Sequence, residues 1–238
     1  MGVFVQRQCR IIESEHASKT VKIIAIEALD GAGFDFKPGM FCSVSFIKDG
    51  IPSGPKPYSV ASSPHEHKKL ELCVRKAGDT TSNLFLLEKG DEVTVLGPFG
   101  NFLLEEPMAR EVVLIAGGTG IAPLMSMLRY VMSKRVKAHV TLIFSCKTQN
   151  DFLYRDELEH FADEHDNFSL IVTLTQEDKG TDWAGPRGRV DEELFKEVIR
   201  DRHHADCYVC GPPGFVDAAI EILGDLGVPE EHMHREKW

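Results

Sequence analysis

The 238-residue sequence has no run of the roughly 18 apolar residues that a membrane-crossing helix needs. Its opening, MGVFVQRQCRII, has no basic segment followed by an apolar one, so no secretory signal is read there. Gln6 stands where a myristoylation motif requires Ser or Thr. Cysteine is sparse: positions 9, 42, 73, 146, 207 and 210 are scattered and mostly lie inside apolar runs. That pattern suits reduced thiols in a cytoplasmic protein rather than a disulfide framework. Cys207 and Cys210 form a CxxC, but no second pair stands at zinc spacing, so no metal site is expected. Positive charge is in deficit, with 27 basic against 37 acidic residues and a net charge of −10, which argues against a nucleic-acid surface. The deficit is uneven: residues 1–106 carry 12 basic and 14 acidic residues, residues 107–238 carry 15 and 23. Neither internal repeats nor low-complexity segments occur. With 42% hydrophobic and 27% charged residues, the composition is globular rather than disordered, collagen-like or coiled-coil.

What is present divides at the polar stretch LEEPMARE, between Leu104 and Glu111. Before it, short strand-like runs (TVKIIAIEAL, MFCSVSFI, YSVAS, LELCVRKA, DEVTVLG) are separated by turn residues, the pattern of an antiparallel barrel or sandwich. One helical run, TSNLFLLEKG, interrupts them and stops at Gly90. After it, strands and helices alternate. EVVLIAGG, HVTLIFSC, FSLIVTLT and DCYVCG read as strands; 122–134, 151–165, 191–201 and 214–227 read as helices. Such alternation predicts βαβ units and a parallel sheet. The expected architecture is an antiparallel β-barrel domain over 1–106 followed by an α/β parallel-sheet domain over 107–238.

The second half opens on IAGGTGIAP, residues 115–123. A continuous apolar strand, a glycine turn and a helix start form the setting of a dinucleotide fingerprint. Gly117, Gly118 and Gly120 permit a tight turn and close ligand approach, and the helix start offers free N–H groups to a pyrophosphate. Pro123 stands where the third glycine of the usual fingerprint falls. The acidic residue expected about 20 positions on is missing. The next strand instead ends Phe144-Ser145-Cys146-Lys147-Thr148, and Lys147 would suit a 2′-phosphate. In the first half, KPYSVASSP (56–64) sets Tyr58, Ser59 and further serines beside Lys56, and AGDTTSNLF (77–85) carries Thr80, Thr81 and Ser82 after a glycine turn. These are also ordinary solvent-facing and N-cap residues. Together with the dinucleotide turn they suggest two phosphate-bearing ligands.

The order and spacing of FKPGMFCSV, KPYSVASSP, AGDTTS, LGPFGNF, AGGTGIAP, LYRDEL and CGPPGF resemble the ferredoxin–NADP reductase superfamily over nearly the whole chain. The likeness is greatest to oxygenase reductase components, flavin reductases and the reductase part of flavohaemoglobins. The resemblance implies hydride transfer from NADPH or NADH to FAD, with FMN the less favoured flavin. Electrons then pass to a separate ferredoxin, oxygenase or haem protein. The family's Arg-x-Tyr-Ser flavin motif falls on Lys56, Pro57, Tyr58 and Ser59. Tyr58 is expected to pack on the flavin and Ser59 to hydrogen-bond near the hydride-accepting nitrogen. Lys56 replaces the usual Arg, keeping the charge but losing the two-pronged geometry. Val74, Gly78, Thr80, Thr81 and Ser82 are expected along the flavin, the last two at its phosphate. Gly117, Gly118, Thr119, Gly120, Ile121 and Pro123 match the nucleotide pyrophosphate loop, and Ser145 and Lys147 lie where the rest of the nucleotide is expected. Cys210, followed by Gly211 and Pro212, is expected beside the nicotinamide. Trp238, in the Glu-x-aromatic setting Glu236-Lys237-Trp238, is expected to cover the flavin ring. Ser59, Cys210 and Trp238 are thus the catalytic candidates. An electron-transfer subunit of a larger complex and a free-flavin reductase remain alternatives. The length leaves no room for an appended ferredoxin, globin or C-terminal cysteine cluster, so the electron acceptor is expected on another chain.

Overall fold

Strand formation in the first half follows its turn chemistry and alternating burial. The structure, a computed structural model, describes residues 5–76, 84–134 and 136–238. It divides into two units: Met1–Leu104 with Met125–Tyr130, and Glu105–Leu124 with Val131–Trp238.

In the first unit, β1 (Val5–Ser18), β2 (Val21–Ala28), β3 (Phe41–Ser45), β6 (Lys56–Ser59), β7 (Lys69–Arg75) and β8 (Glu92–Phe99) form one antiparallel sheet in the order β6-β3-β8-β1-β2-β7. A bridge between Val60 and Leu72 brings the two edges together and nearly closes a Greek-key barrel. A small hairpin, β4 (Ile47–Lys48) and β5 (Ile51–Pro52), precedes β6. Inward positions, including Ile11, Ile24, Ile26, Leu70, Leu72, Val74, Leu84, Val93 and Val95, fill the barrel.

The long β1 was not legible in the sequence pattern. Most of its side chains are polar and outward, and its register shifts between Ile11 and Glu13. Backbone ladders to β2 and β8 on its two sides define it instead. The helix expected over TSNLFLLEKG is, within the described residues, only a 3-10 turn over Leu84–Leu86. Gly90 does end the segment in a left-handed conformation, with φ 100°.

The second unit is a parallel sheet of β9 (Glu111–Gly117), β10 (His139–Cys146), β11 (Phe168–Leu174), β12 (Ala205–Gly211) and β13 (Met233–Lys237), ordered β11-β10-β9-β12-β13. Every residue of β9 and β12 is buried, as their apolar runs require of strands covered on both faces. The connecting helices are α1 (Ile121–Ser133), α2 (Arg155–Glu164), α3 (Glu192–Val198) and α4 (Pro213–Asp225). α2 starts later than its sequence suggests, because Tyr154 takes a left-handed conformation (φ 58°) after a short 3-10 turn. Asp191 caps α3 by accepting the Leu194 amide at 2.9 Å. The edge strand β13, MHREK, is short and polar and carries no strand pattern; it is held by pairing Cys207–Gly211 with Met233–Lys237. Among the described residues, no helix is long and apolar enough to cross a membrane.

Candidate functional site

The order of the parallel sheet reverses direction between β9 and β12. In open α/β sheets, ligands bind outside the carboxyl ends of the strands at such a switch point. β9 ends at Gly117 and runs through a 3-10 turn, Gly118–Gly120, into α1; β12 ends at Gly211 and runs into α4. Gly118 has φ +55° and nothing within 4 Å of where a Cβ would lie, so the turn is left-handed and faces open space. Gly120 is required by proximity: an ideal Cβ there overlaps the Cys210 carbonyl, 2.5 Å from its carbon and 2.7 Å from the Gly211 nitrogen. No side chain caps the start of α1, and its third residue, Pro123, has no N–H to leave unpaired. The Ile121 amide bonds the Gly118 and Thr119 carbonyls, and the first-turn amides beyond it, starting at Ala122, are donors suited to a pyrophosphate. Thr119 is half-buried in the turn and Ile121 fully buried behind it.

The other expected residues of this unit lie at the same carboxyl edge. Ser145 lies near the end of β10 and is buried, and Lys147 follows the strand and is exposed. Cys210 is 1% exposed, with Gly211 and Pro212 following it. Burial raises the Cys210 thiol well above its ordinary value, and the neighbouring Glu236 carboxylate adds to this. The thiol is therefore neutral, able to pack or donate weakly but not to act as a thiolate. Trp238 follows β13, donates its amide to the Gly211 carbonyl at 3.4 Å, and is 47% exposed.

One acidic group at this edge went unread in the sequence. Glu177, beyond β11, accepts the Gln149 amide at 2.8 Å and its side-chain nitrogen at 3.3 Å; Gln149 also donates to Asp182 at 3.2 Å. The Gln149 amide holds the Glu177 carboxyl below its ordinary value. Gln176 in turn donates its amide to the Lys147 carbonyl. A carboxylate thus stands beyond the third strand of the sheet, where the sequence has none directly after the second. Its only sequence signal is the acidic run Glu177-Asp178 directly after FSLIVTLTQ.

In the first unit, β6 carries Lys56, Pro57, Tyr58 and Ser59 against β3, with Tyr58 opposite Cys42 and Ser59 opposite Phe41. Tyr58 packs on the barrel core. Burial raises its hydroxyl, while a hydrogen bond from the Leu84 backbone opposes this. Lys56 and Ser59 are half-buried and Pro57 exposed. Val74 points into the barrel core, leaving its backbone for any ligand. Gly78, Thr80, Thr81 and Ser82 lie outside the described residues. Among the described residues, no group of three His, Cys, Asp or Glu side chains is placed to hold a metal.

Residues 114–221 match the model of the oxidoreductase NAD-binding domain. Ferredoxin–NADP reductase B of Sorangium cellulosum is 30% identical over 241 residues, covering 97% of each chain. The chain belongs to the ferredoxin–NADP reductase superfamily. A glycine betaine monooxygenase reductase subunit of Pseudomonas aeruginosa is 31% identical over 206 residues, which cover 85% of this chain but 56% of that one. The chain thus spans little more than half the length of that relative. Among solved structures, the Amycolatopsis cytochrome P450 reductase shares the fold with a TM-score of 0.87 at 23% identity, over 100% of this chain and 71% of that one. The two-unit architecture, an antiparallel barrel followed by a parallel α/β sheet, is that of this superfamily.

Proposed function

We propose that the protein is an NAD(P)H-dependent flavoprotein reductase that passes electrons to a separate ferredoxin, oxygenase or haem protein. The observation that carries this reading is the Gly117–Gly120 turn at the carboxyl end of β9, where Gly120 is packed against the end of β12 and Gly118 faces open space. The whole-length similarity to a ferredoxin–NADP reductase supports it.

The residues present fit both ligands. On the nucleotide side, the Gly118 turn and the uncapped start of α1 offer a cradle for a pyrophosphate. On the flavin side, β6 presents a half-buried tyrosine, a serine and a cation in consecutive register. FAD, when bound, supplies a two-electron acceptor for the hydride of the nucleotide. The protein's contribution is position and electrostatics. Tyr58 supplies an apolar wall, Ser59 a hydroxyl donor, and Lys56 a charge for the flavin phosphates. Cys210 supplies a small neutral surface at the end of β12 for the nicotinamide. Trp238 is assigned to cover the flavin.

Lys147 and Glu177 pull the nucleotide choice in opposite directions. A lysine attracts a 2′-phosphate, whereas a carboxylate accepts a hydrogen bond from a free 2′-hydroxyl and repels the phosphate. Lys147 is exposed, while Glu177 is held in place by two hydrogen bonds from Gln149. NADH is therefore the proposed preferred donor.

Anaerobic addition of NADH to the FAD-loaded chain is expected to bleach the flavin's visible absorption, faster than NADPH does. A chain that takes up no flavin refutes the reading.

A further inference from the structure

The most deeply buried cation in the described residues is not at either site above. Lys22, on β2, is 2% exposed, directly opposite Val74 on the neighbouring strand β7. Its ammonium donates to the Glu88 carboxylate at 2.5 Å and to the Leu87 carbonyl at 3.3 Å, and lies 5.4 Å from the centre of the Phe85 ring. Ser14 donates to the same Leu87 carbonyl at 3.1 Å. All these groups act on one short segment, Leu84–Glu88, which turns at Leu84–Leu86 with the Leu87 amide on the Leu84 carbonyl. The far end of that segment meets the flavin motif: Leu84 belongs to the core cluster against which Tyr58 packs, and its backbone lowers the Tyr58 hydroxyl against the effect of burial. Residues 77–83 lead directly into it.

A buried lysine is costly unless its charge is compensated. Here the compensation comes from the polar groups of a segment whose Leu84, Phe85 and Leu87 side chains are themselves buried in the barrel core. Ordinary apolar residues would fill the barrel more cheaply, as Ile24 and Ile26 do on the same strand. The ammonium adds a directional hold on the Leu87 carbonyl and the Glu88 carboxylate that apolar packing of this segment does not supply.

We propose that Lys22 is a positioning residue for flavin binding: by holding Leu87 and Glu88 it fixes the Leu84–Leu87 turn, part of the core cluster on which Tyr58 packs. This rests on the flavin reading given above. Lys22→Met keeps the length and apolar stem of the side chain and removes the ammonium; Glu88→Gln, at an exposed position, weakens the same contact without touching the core. Arg10→Ala breaks the exposed Arg10–Glu92 pair elsewhere on the barrel and serves as control.

The test has two readouts, both taken well below the unfolding midpoint of each variant. In the flavin-free chain, amide exchange at Leu84 and Leu87 is expected to accelerate in Lys22→Met and in Glu88→Gln, but not in Arg10→Ala. In FAD titrations, Lys22→Met is expected to weaken binding roughly tenfold, with a non-additive effect when combined with Tyr58→Phe. A merely structural lysine lowers the unfolding midpoint and leaves FAD affinity and its coupling to Tyr58 unchanged, and that result overturns the proposal. If Lys22→Met does not fold, unchanged exchange and FAD affinity in Glu88→Gln overturn it equally. A wild-type chain that binds no FAD refutes the flavin reading itself, and this proposal with it.

Discussion

Replacing Gly120 with alanine adds one methyl group at the point where the glycine turn meets β12. The ideal Cβ lies 2.5 Å from the Cys210 carbonyl carbon and 2.7 Å from the Gly211 nitrogen. These are backbone atoms of a strand buried on both faces, so no side chain can swing aside. Carbon contacts settle near 3.5–4.0 Å, so the turn and β12 must separate by about 1 Å. β12 pairs with β9 from Ala205 to Cys210, and that separation strains the end of the ladder. Overpacking of this kind costs about 1–3 kcal/mol, and for a chain of this size that lowers the melting midpoint by about 2–12 °C. The functional loss is expected to be larger, since a misplacement of about 1 Å can reduce turnover roughly a hundredfold. Gly118→Ala provides the contrast. Its Cβ meets nothing within 4 Å, so only the left-handed φ is penalised, by about 1–2 kcal/mol, and the strand spacing is kept. Thermal melts and equilibrium NADH binding on both variants separate the two effects. A Gly120→Ala chain that melts within about 1 °C of wild type and binds NADH equally well refutes the argument that proximity to β12 requires glycine.

Glu177→Gln is expected to raise the NADPH-to-NADH ratio of kcat/KM roughly tenfold, and Lys147→Ala to lower NADPH use alone; equal effects on both nucleotides contradict the assignment of the ribose end. Cys210 is buried and its thiol is held neutral, so iodoacetamide at mildly alkaline pH is expected to leave it unmodified in the native chain and to modify it after unfolding, as read by peptide mass spectrometry. The Lys22 hydrogen bond holds the Glu88 carboxyl below its ordinary 4.5, so this pair contributes stability at higher pH and loses it as pH falls through the lower native value. The stability gap between wild type and Glu88→Gln, measured by denaturant melts, is expected to close on acidification; a gap that widens there contradicts the pairing.

The nucleotide half was more legible than the flavin half. Strands such as EVVLIAG and ADCYVCG are buried on both faces and read as continuous apolar runs, so the sheet and its glycine turn follow from composition alone. β1 and β13 carry no strand pattern because backbone pairing, not side-chain burial, defines them; Val5–Ser18 buries only Cys9 and Ile11, and Met233–Lys237 buries no residue. Glu177 escaped for a different reason. The usual fingerprint has its carboxylate after the second strand, and chain order does not show that the end of β11 lies beside the end of β10. Lys22 sits in an apolar strand, VKIIAIEA, where a lysine reads as an outward residue; only the packing shows it turned inward. KPYS stands out by its cation, tyrosine and serines, but a polar strand of four residues is equally an ordinary solvent-facing one, and only the resemblance gives its residues their roles.

The most direct test is a single-turnover experiment on the FAD-loaded chain, mixed anaerobically with NADH or with NADH deuterated at C4. The account predicts bleaching of the flavin's visible band in one exponential phase, slowed by the deuterium, with reoxidation on adding a ferredoxin, an oxygenase or a haem protein. A chain that binds FAD and NADH yet shows no bleaching contradicts it.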